Sequence, residues 1–554
     1  MKRSGFRLSF LMAGAIFISV IAHSQPLQDA IKLTNNEEFE QADKAFLSLE
    51  KAQPTIGNIY FYRGENFYNW GKLDSAQSTY QKGIAVNALE PLNYVGLGKV
   101  QMINGDSKSG ADNFYKAKTI SKEKDPVVLS KIAEAYINVA SKDPSTASDM
   151  LNQAVISLNE AIKLDPKNAT YHLDLGDAYL AQNQTDGSRS IEEYNIAQSL
   201  DPKSVNAMLR LGQLWNNARN YTTSFDYFKK ATQLDSTFAP AYREQAEMLY
   251  QAGRYDEALA AYQKYLHLNN SLTARTRYGI FLYVAQKYDA AITELQSDLQ
   301  QDSSNIILYR LLGYSQYERK DYKNGLININ KFFVKEQGTK VKIIGSDYTY
   351  LGKLLSKNGQ DSLAIVNLSH AVTLINNESS QDVQDIYQLI GQLYYKDGNY
   401  PMAVMYFKKR VTARQQNADA NDYYFLGLAQ YNNKQYHGAD SSFGKITQTN
   451  PDLLVAYQWR ARANSQLDST QALSKPYFLQ YAQKASSDSI KNKVGLVEAY
   501  SNLGYFYFLK KEKDSASIYY HKILNLDPDN ASAKEYFESL KPHPKPAKPE
   551  AKKQ

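Results

Sequence analysis

Apolar residues recur along this chain at intervals of three and four, the spacing that lines one face of an α-helix. One stripe begins with a small residue, places an aromatic or aliphatic residue four further on, and often adds a small or apolar residue one turn later. It is seen at Ala76, Tyr80 and Ile84; Ser224, Phe228 and Ala231; Ala258, Tyr262 and Tyr265; Ala403 and Phe407; Ala439, Phe443 and Ile446; and Ala516, Tyr520 and Ile523. A second helical segment precedes each stripe and often carries a Leu-Gly or Ile-Gly pair; such pairs occur at Leu97-Gly98, Leu175-Gly176, Leu211-Gly212, Leu312-Gly313, Leu351-Gly352, Ile390-Gly391, Leu426-Gly427 and Leu503-Gly504. Turn residues separate the two segments, with Asp74, Asp256, Asp289 and Asp514 expected at the start of the second helix, where a carboxylate accepts free N–H groups. Prolines 54, 166, 202, 451 and 528 close several units, because proline cannot continue a helix.

The period is close to 34 residues: 34 from Gly64 to Gly98, 34 from Gly212 to Ala246, 33 from Ala246 to Gly279 and 34 from Gly279 to Gly313. A paired helix at this period, with Gly and Ala where the two rods meet, resembles the tetratricopeptide repeat. Small side chains at the contact let helix axes approach to about 8–10 Å. The fold expected is an all-α, right-handed superhelical solenoid of about fourteen helix–turn–helix units, ending in a capping helix over 532–540. Asp298 departs from the pattern, standing where a small residue is usual. The stretch from Ser141 to Asp149 lengthens one internal loop, and 335–345 and 484–495 break the repeat. The division expected is residues 1–24, an N-terminal lobe over 25–334, a C-terminal lobe over 335–540 and a tail over 541–554.

The resemblance implies that the first helix of each unit lines a concave face. Carried onto this chain, the lining positions are Phe61 and Tyr68; Arg243 and Glu247; Arg310, Tyr314 and Tyr317; Tyr395; Tyr424 and Tyr431; and Tyr505. This strip suits capture of protein or peptide partners. Most of the 44 tyrosines instead occupy packing positions. Glu247 stands where a clamp for a C-terminal carboxylate would carry Asn, so that specialised activity is not expected.

Charge and composition narrow the picture. The net charge of +7 is concentrated at the two ends: residues 1–24 carry +3 and residues 541–554 carry +4, leaving a neutral body without the basic footprint of a nucleic-acid binder. Lys2, Arg3 and Arg7, the apolar run from Leu8 to Ala22, and Ala22-His23-Ser24 form a secretory signal cut before Gln25. No later stretch approaches a membrane span. With no cysteine in the chain there is neither a disulfide nor a thiolate ligand. The seven histidines show no metal-ligand spacing, and no catalytic motif stands out. The expectation is a non-catalytic scaffold, without cofactor or metal, in the periplasm or outer envelope, of a kind similar to exported Bacteroidota repeat proteins. The alternative is an accessory protein that binds carbohydrate or serves polysaccharide export, with possible contact to polysaccharide or peptidoglycan.

Overall fold

A computed structural model describes residues 25–142, 147–339, 341–377 and 379–541. Residues 1–24, where the signal is expected, residues 143–146 of the lengthened loop and nearly all of the Lys/Pro tail lie outside that description. Among the described residues there is no strand. The helices pair in chain order: 25–35 with Phe39–Ala52, Gly57–Asn69 with Leu73–Val86, Pro91–Ile103 with Ser107–Ile120, Pro126–Ala140 with Ala147–Leu164, Ala169–Gln182 with Ser188–Leu200, Val205–Asn217 with Tyr221–Leu234, and Ala239–Gln251 with Tyr255–Leu268. They continue as Leu272–Val284 with Tyr288–Gln301, Ile306–Glu318 with Tyr322–Glu336, Gly345–Lys357 with Asp361–Ile375, Gln381–Lys396 with Tyr400–Arg414, Ala420–Asn432 with Tyr436–Thr449, Leu454–Leu467 with Lys475–Ala485, and Lys493–Leu509 with Lys513–Leu526. Ala531–Ser539 follows as a cap, burying Ala533 and Tyr536. Packing divides the chain into two compact units between Leu311 and Leu312.

The glycines act as expected from the spacing. A Cβ on Gly176 would sit 2.4 Å from the Tyr194 ring, and one on Gly391 would sit 2.6 Å from that of Phe407. Each glycine is thus the socket for a large side chain of the second helix, eighteen residues later for Gly176 and sixteen for Gly391. Ala76, Ala258, Ala403 and Ala439 are fully buried at the same crossings.

The four turn aspartates need a correction. Asp74, Asp256, Asp289 and Asp514 lie in the first turn of their helices, while the N-caps are Lys72, Arg254, Lys287 and Glu512, whose side chains accept no capping hydrogen bond. The aspartates therefore act on the helix dipole, worth about 0.3–1 kcal/mol each. True caps occur where the sequence has Asp106, Asn220 or Asn399 at that position. The residue just before the cap is left-handed in eleven turns, five of them glycine: Gly71, Gly105, Gly253, Gly359 and Gly398.

Asp298 is fully buried, with the Arg275 guanidinium 2.8 Å away. Burial pushes its carboxyl up to about 6 against the pull of Arg275. An acid raised in the folded state gains a proton on folding between pH 4 and 6, so its unfavourable contribution is largest above pH 6 and fades as the pH falls. Arg275 retains Glu294 at 2.8 Å if Asp298 is replaced. In Asp298→Asn, the melting temperature relative to the parent should therefore be highest at pH 7 to 8. That advantage should shrink toward pH 5 by roughly 1–2 kcal/mol, one unit of pKa being worth about 1.4 kcal/mol. A constant difference across this range would remove Asp298 as its source.

Candidate functional site: two inner faces of different chemistry

In the N-terminal unit, the residue directly after the packing glycine or alanine of the first helix is often charged: Glu65, Lys99, Glu134, Asp177 and Glu247 follow Gly64, Gly98, Ala133, Gly176 and Ala246. Lys131 and Asp174 lie one turn before Glu134 and Asp177, and Arg210 and Arg277 hold that same earlier position in later pairs. These side chains pair from one helix pair to the next. Lys99 reaches Glu65 at 2.6 Å and Arg210 reaches Asp177 at 2.8 Å, while Lys131 is joined to Glu134 within its own helix. Burial raises the Asp174 carboxyl and the nearby Glu134 charge adds to it, although Ser130 donates to Asp174 at 2.7 Å. For Glu134, burial acts in the same direction, but Lys131 and Lys99 outweigh it and hold the carboxyl below its usual range. This face is a largely self-neutralised ladder of charges.

The positions carried over from the resemblance divide accordingly. Tyr68 is half-buried, with the Lys99 ammonium 3.8 Å above its ring. Arg243 pairs with Glu244 at 2.7 Å and Glu37 at 3.1 Å, and Glu247 faces Arg277 at 3.7 Å. Arg310 is half-buried at the end of this unit. Phe61 is only 1% exposed and packs on Tyr62 and Tyr80, so it belongs to the core and lines no open groove.

In the C-terminal unit the inner positions are mainly aromatic. Tyr314 is buried, donates to Asp347 at 2.6 Å and stacks on Tyr350 at 4.0 Å. Its ring is thus an internal brace rather than a groove surface. Tyr317, Tyr395 and Tyr431 share another role. Each lies 5.5–5.6 Å from the tyrosine five residues later, across the turn: Tyr322, Tyr400 and Tyr436. The same pairing joins Tyr250 to Tyr255 and Tyr283 to Tyr288 in the N-terminal unit. The Tyr-x4-Tyr spacing is visible in the sequence and accounts for ten tyrosines as turn braces. Tyr424 sits edge-on to Phe425 and Phe443. Tyr505 is the open one, 46% exposed.

The most developed polar group on this face involves none of the expected positions. Glu498 takes two hydrogen bonds from Arg462, at 2.6 and 2.7 Å, and a third from Gln458 at 2.5 Å, while the same guanidinium lies 4.5 Å from the centre of the Trp459 ring. Arg462 follows Ala461 as Glu247 follows Ala246, so the same register rule identifies it. Among the described residues no group of His, Asp or Glu side chains is arranged to hold a metal ion, and no helix is long and apolar enough to cross a membrane.

Models of the tetratricopeptide repeat match residues 243–306, 384–417 and 497–530, and a TPR repeat model matches 149–183. The C-terminal part of a TPR repeat-containing protein from Cytophaga hutchinsonii is 33% identical, over 47% of this chain and 98% of that one, with a TM-score of 0.40. A TPR repeat-containing protein of Methanocaldococcus jannaschii is 23% identical over 59% of this chain and 54% of its own length. Tetratricopeptide repeat protein 37 of Xenopus laevis is 25% identical over 32% of this chain and 12% of its own length. The chain thus spans about half or less of the curated relatives it matches. With the repeat matched at four places and a third of residues shared across nearly all of one relative, the chain belongs to the tetratricopeptide repeat family.

Proposed function

We propose that this chain is a non-catalytic protein–protein interaction scaffold, exported to the cell envelope, which holds extended segments of partner proteins on its inner faces. The Trp459–Arg462–Glu498 group with the open Tyr505 carries the reading: a guanidinium fixed beside an indole, with an exposed phenol two turns further along the helix that carries Glu498, has the composition of a binding hot spot. The charge ladder of the N-terminal unit is already paired and supports positioning more than affinity. Export rests on the basic and apolar start of the chain and the small residues before Gln25. The polysaccharide alternative is less favoured because Tyr314 is stacked and Tyr317, Tyr395 and Tyr431 are braced, leaving few open rings for a sugar to cover.

Gentle crosslinking in the source organism, followed by purification from the envelope fraction, should recover protein partners in fixed proportion and a mature N-terminus at Gln25. Trp459→Ala with Tyr505→Ala should lose those partners while the helical signal is unchanged. Recovery of the monomer alone, or a cytoplasmic chain retaining its first 24 residues, would overturn the reading.

A further inference from the structure

The first helix pair touches the array again more than two hundred residues later, inside the same compact unit. Glu37 lies in the turn between 25–35 and Phe39–Ala52. Its carboxylate accepts from Arg243 at 3.1 Å and from the Tyr265 hydroxyl at 2.5 Å, and its backbone carbonyl accepts from the Asn269 amide at 3.2 Å. Lys32 adds an ion pair to Asp235 at 3.2 Å. Seven pairs stacked in order, with the first bonded to the sixth and seventh, make a closed circuit.

Local forces do not favour Glu37 at this position. Its φ is +64°, in the left-handed region. The equivalent residue is glycine in five turns and Arg219, Gln286, Lys320, Lys434 or Lys511 in five others. Glycine relieves the strain, and a cation complements the negative end of the preceding helix. Glu37 is the only acid among these described turns and does neither, so its benefit lies in the distant contacts. Its main partner is equally unusual. Tyr265 occupies the stripe position that is Ala231 in the preceding pair and Ala371 in a later one. The junction is also loosely packed, leaving a cavity of about 410 Å³ bordered by Glu38, Phe39, Trp70, Asn269 and Arg277. Few polar bonds beside open volume make a contact able to part without unfolding either side.

We infer that the first helix pair is a clasp, and that Glu37, by holding Arg243 and Tyr265, closes the N-terminal unit into a ring that restricts access to its charged inner face. The closure is a property of the chain alone and requires no partner.

The chain has no cysteine, so spin labels placed on Ser48→Cys and His267→Cys report the clasp cleanly. The parent should give one narrow distance distribution. Glu37→Gly, which suits the turn but removes the carboxylate, should broaden and lengthen it while amides of Phe39–Ala52 stay protected from hydrogen exchange. Tyr265→Phe, which leaves the turn untouched, should shift it the same way even if Glu37→Gly loosens the first pair. Arg219→Gly, at the same turn position but outside the clasp, should leave it unchanged. On the inner face, Gln213→Cys should react with a bulky polyethylene glycol maleimide several-fold faster once Glu37→Gly is added, while N-ethylmaleimide reacts equally with both. An unaltered distribution in Glu37→Gly and Tyr265→Phe, or equal broadening in Arg219→Gly, would overturn the clasp. An unaltered bulky-reagent rate would overturn the restriction of access.

Discussion

Arg410→Met should destabilise the C-terminal unit by about 3–5 kcal/mol, the range for removing one partner from a buried ion pair. Arg410 is 7% exposed, on the buried stripe of Tyr400–Arg414. It donates to Asp422 at 2.5 Å, to the Gln384 carbonyl at 2.9 Å and to Asp385 at 3.2 Å, tying three successive helices together. Asp422 is 1% exposed and would keep only Arg414, at 3.1 Å, as its cationic partner. Because repeats stabilise their nearest neighbours, the loss should be local. Hydrogen exchange should accelerate across 381–432 and remain unchanged over 205–251. Adding Asp422→Leu should recover much of the loss, since replacing both members of such a pair by apolar groups is often nearly neutral. If the single variant lost under about 1 kcal/mol, Asp422 would have to be adequately solvated without Arg410, contrary to its burial.

Arg410 also illustrates what could and could not be learned from the sequence. The helix pairs, their number and their contact glycines were legible because spacings of three and four and a period near 34 are one-dimensional signals. Asp298 was visible as an exception to the stripe. Tyr265 and Arg410 occupy the same register and are also exceptions to its small-residue rule, but only the fold pairs them with Glu37 and Asp422, at 228 and 12 residues' distance. The inner-face positions were only partly legible. Tyr68, Arg243, Glu247 and Tyr505 are left half-buried or exposed by the fold, but the register could not show that Phe61 and Tyr314 turn into the core. Nor could it show that Tyr317, Tyr395 and Tyr431 are committed to their turns. Those outcomes depend on which neighbouring side chain fills each gap, and the gap is defined by residues one repeat away.

The same interdependence makes Tyr80 the packing residue whose loss should be felt most. Its ring is fully buried between the first helices of two consecutive pairs: a Cβ on Gly64 would lie 2.2 Å from it, and one on Gly96 would lie 2.3 Å from it. Its hydroxyl donates to Glu65 at 2.6 Å, and Glu65 in turn takes the Lys99 ammonium, so the ring supports the first rung of the charge ladder as well as the core. Tyr80→Ala leaves a cavity walled partly by two glycines, which have no side chains with which to close it. The expected cost is about 3–5 kcal/mol by urea unfolding. Tyr80→Phe keeps the ring and loses one hydrogen bond, while Glu65 retains Lys99, so its cost should be about 1 kcal/mol. Gly96→Ala approaches the same socket from the opposite side, overfilling it at about 1–3 kcal/mol. In Gly96→Ala with Tyr80→Ala, the added methyl enters space that the ring has vacated, so the two losses should be less than additive. Strict additivity would mean that Tyr80 and Gly96 are not in contact, and the pairing of Leu73–Val86 with Pro91–Ile103 would have to be redrawn.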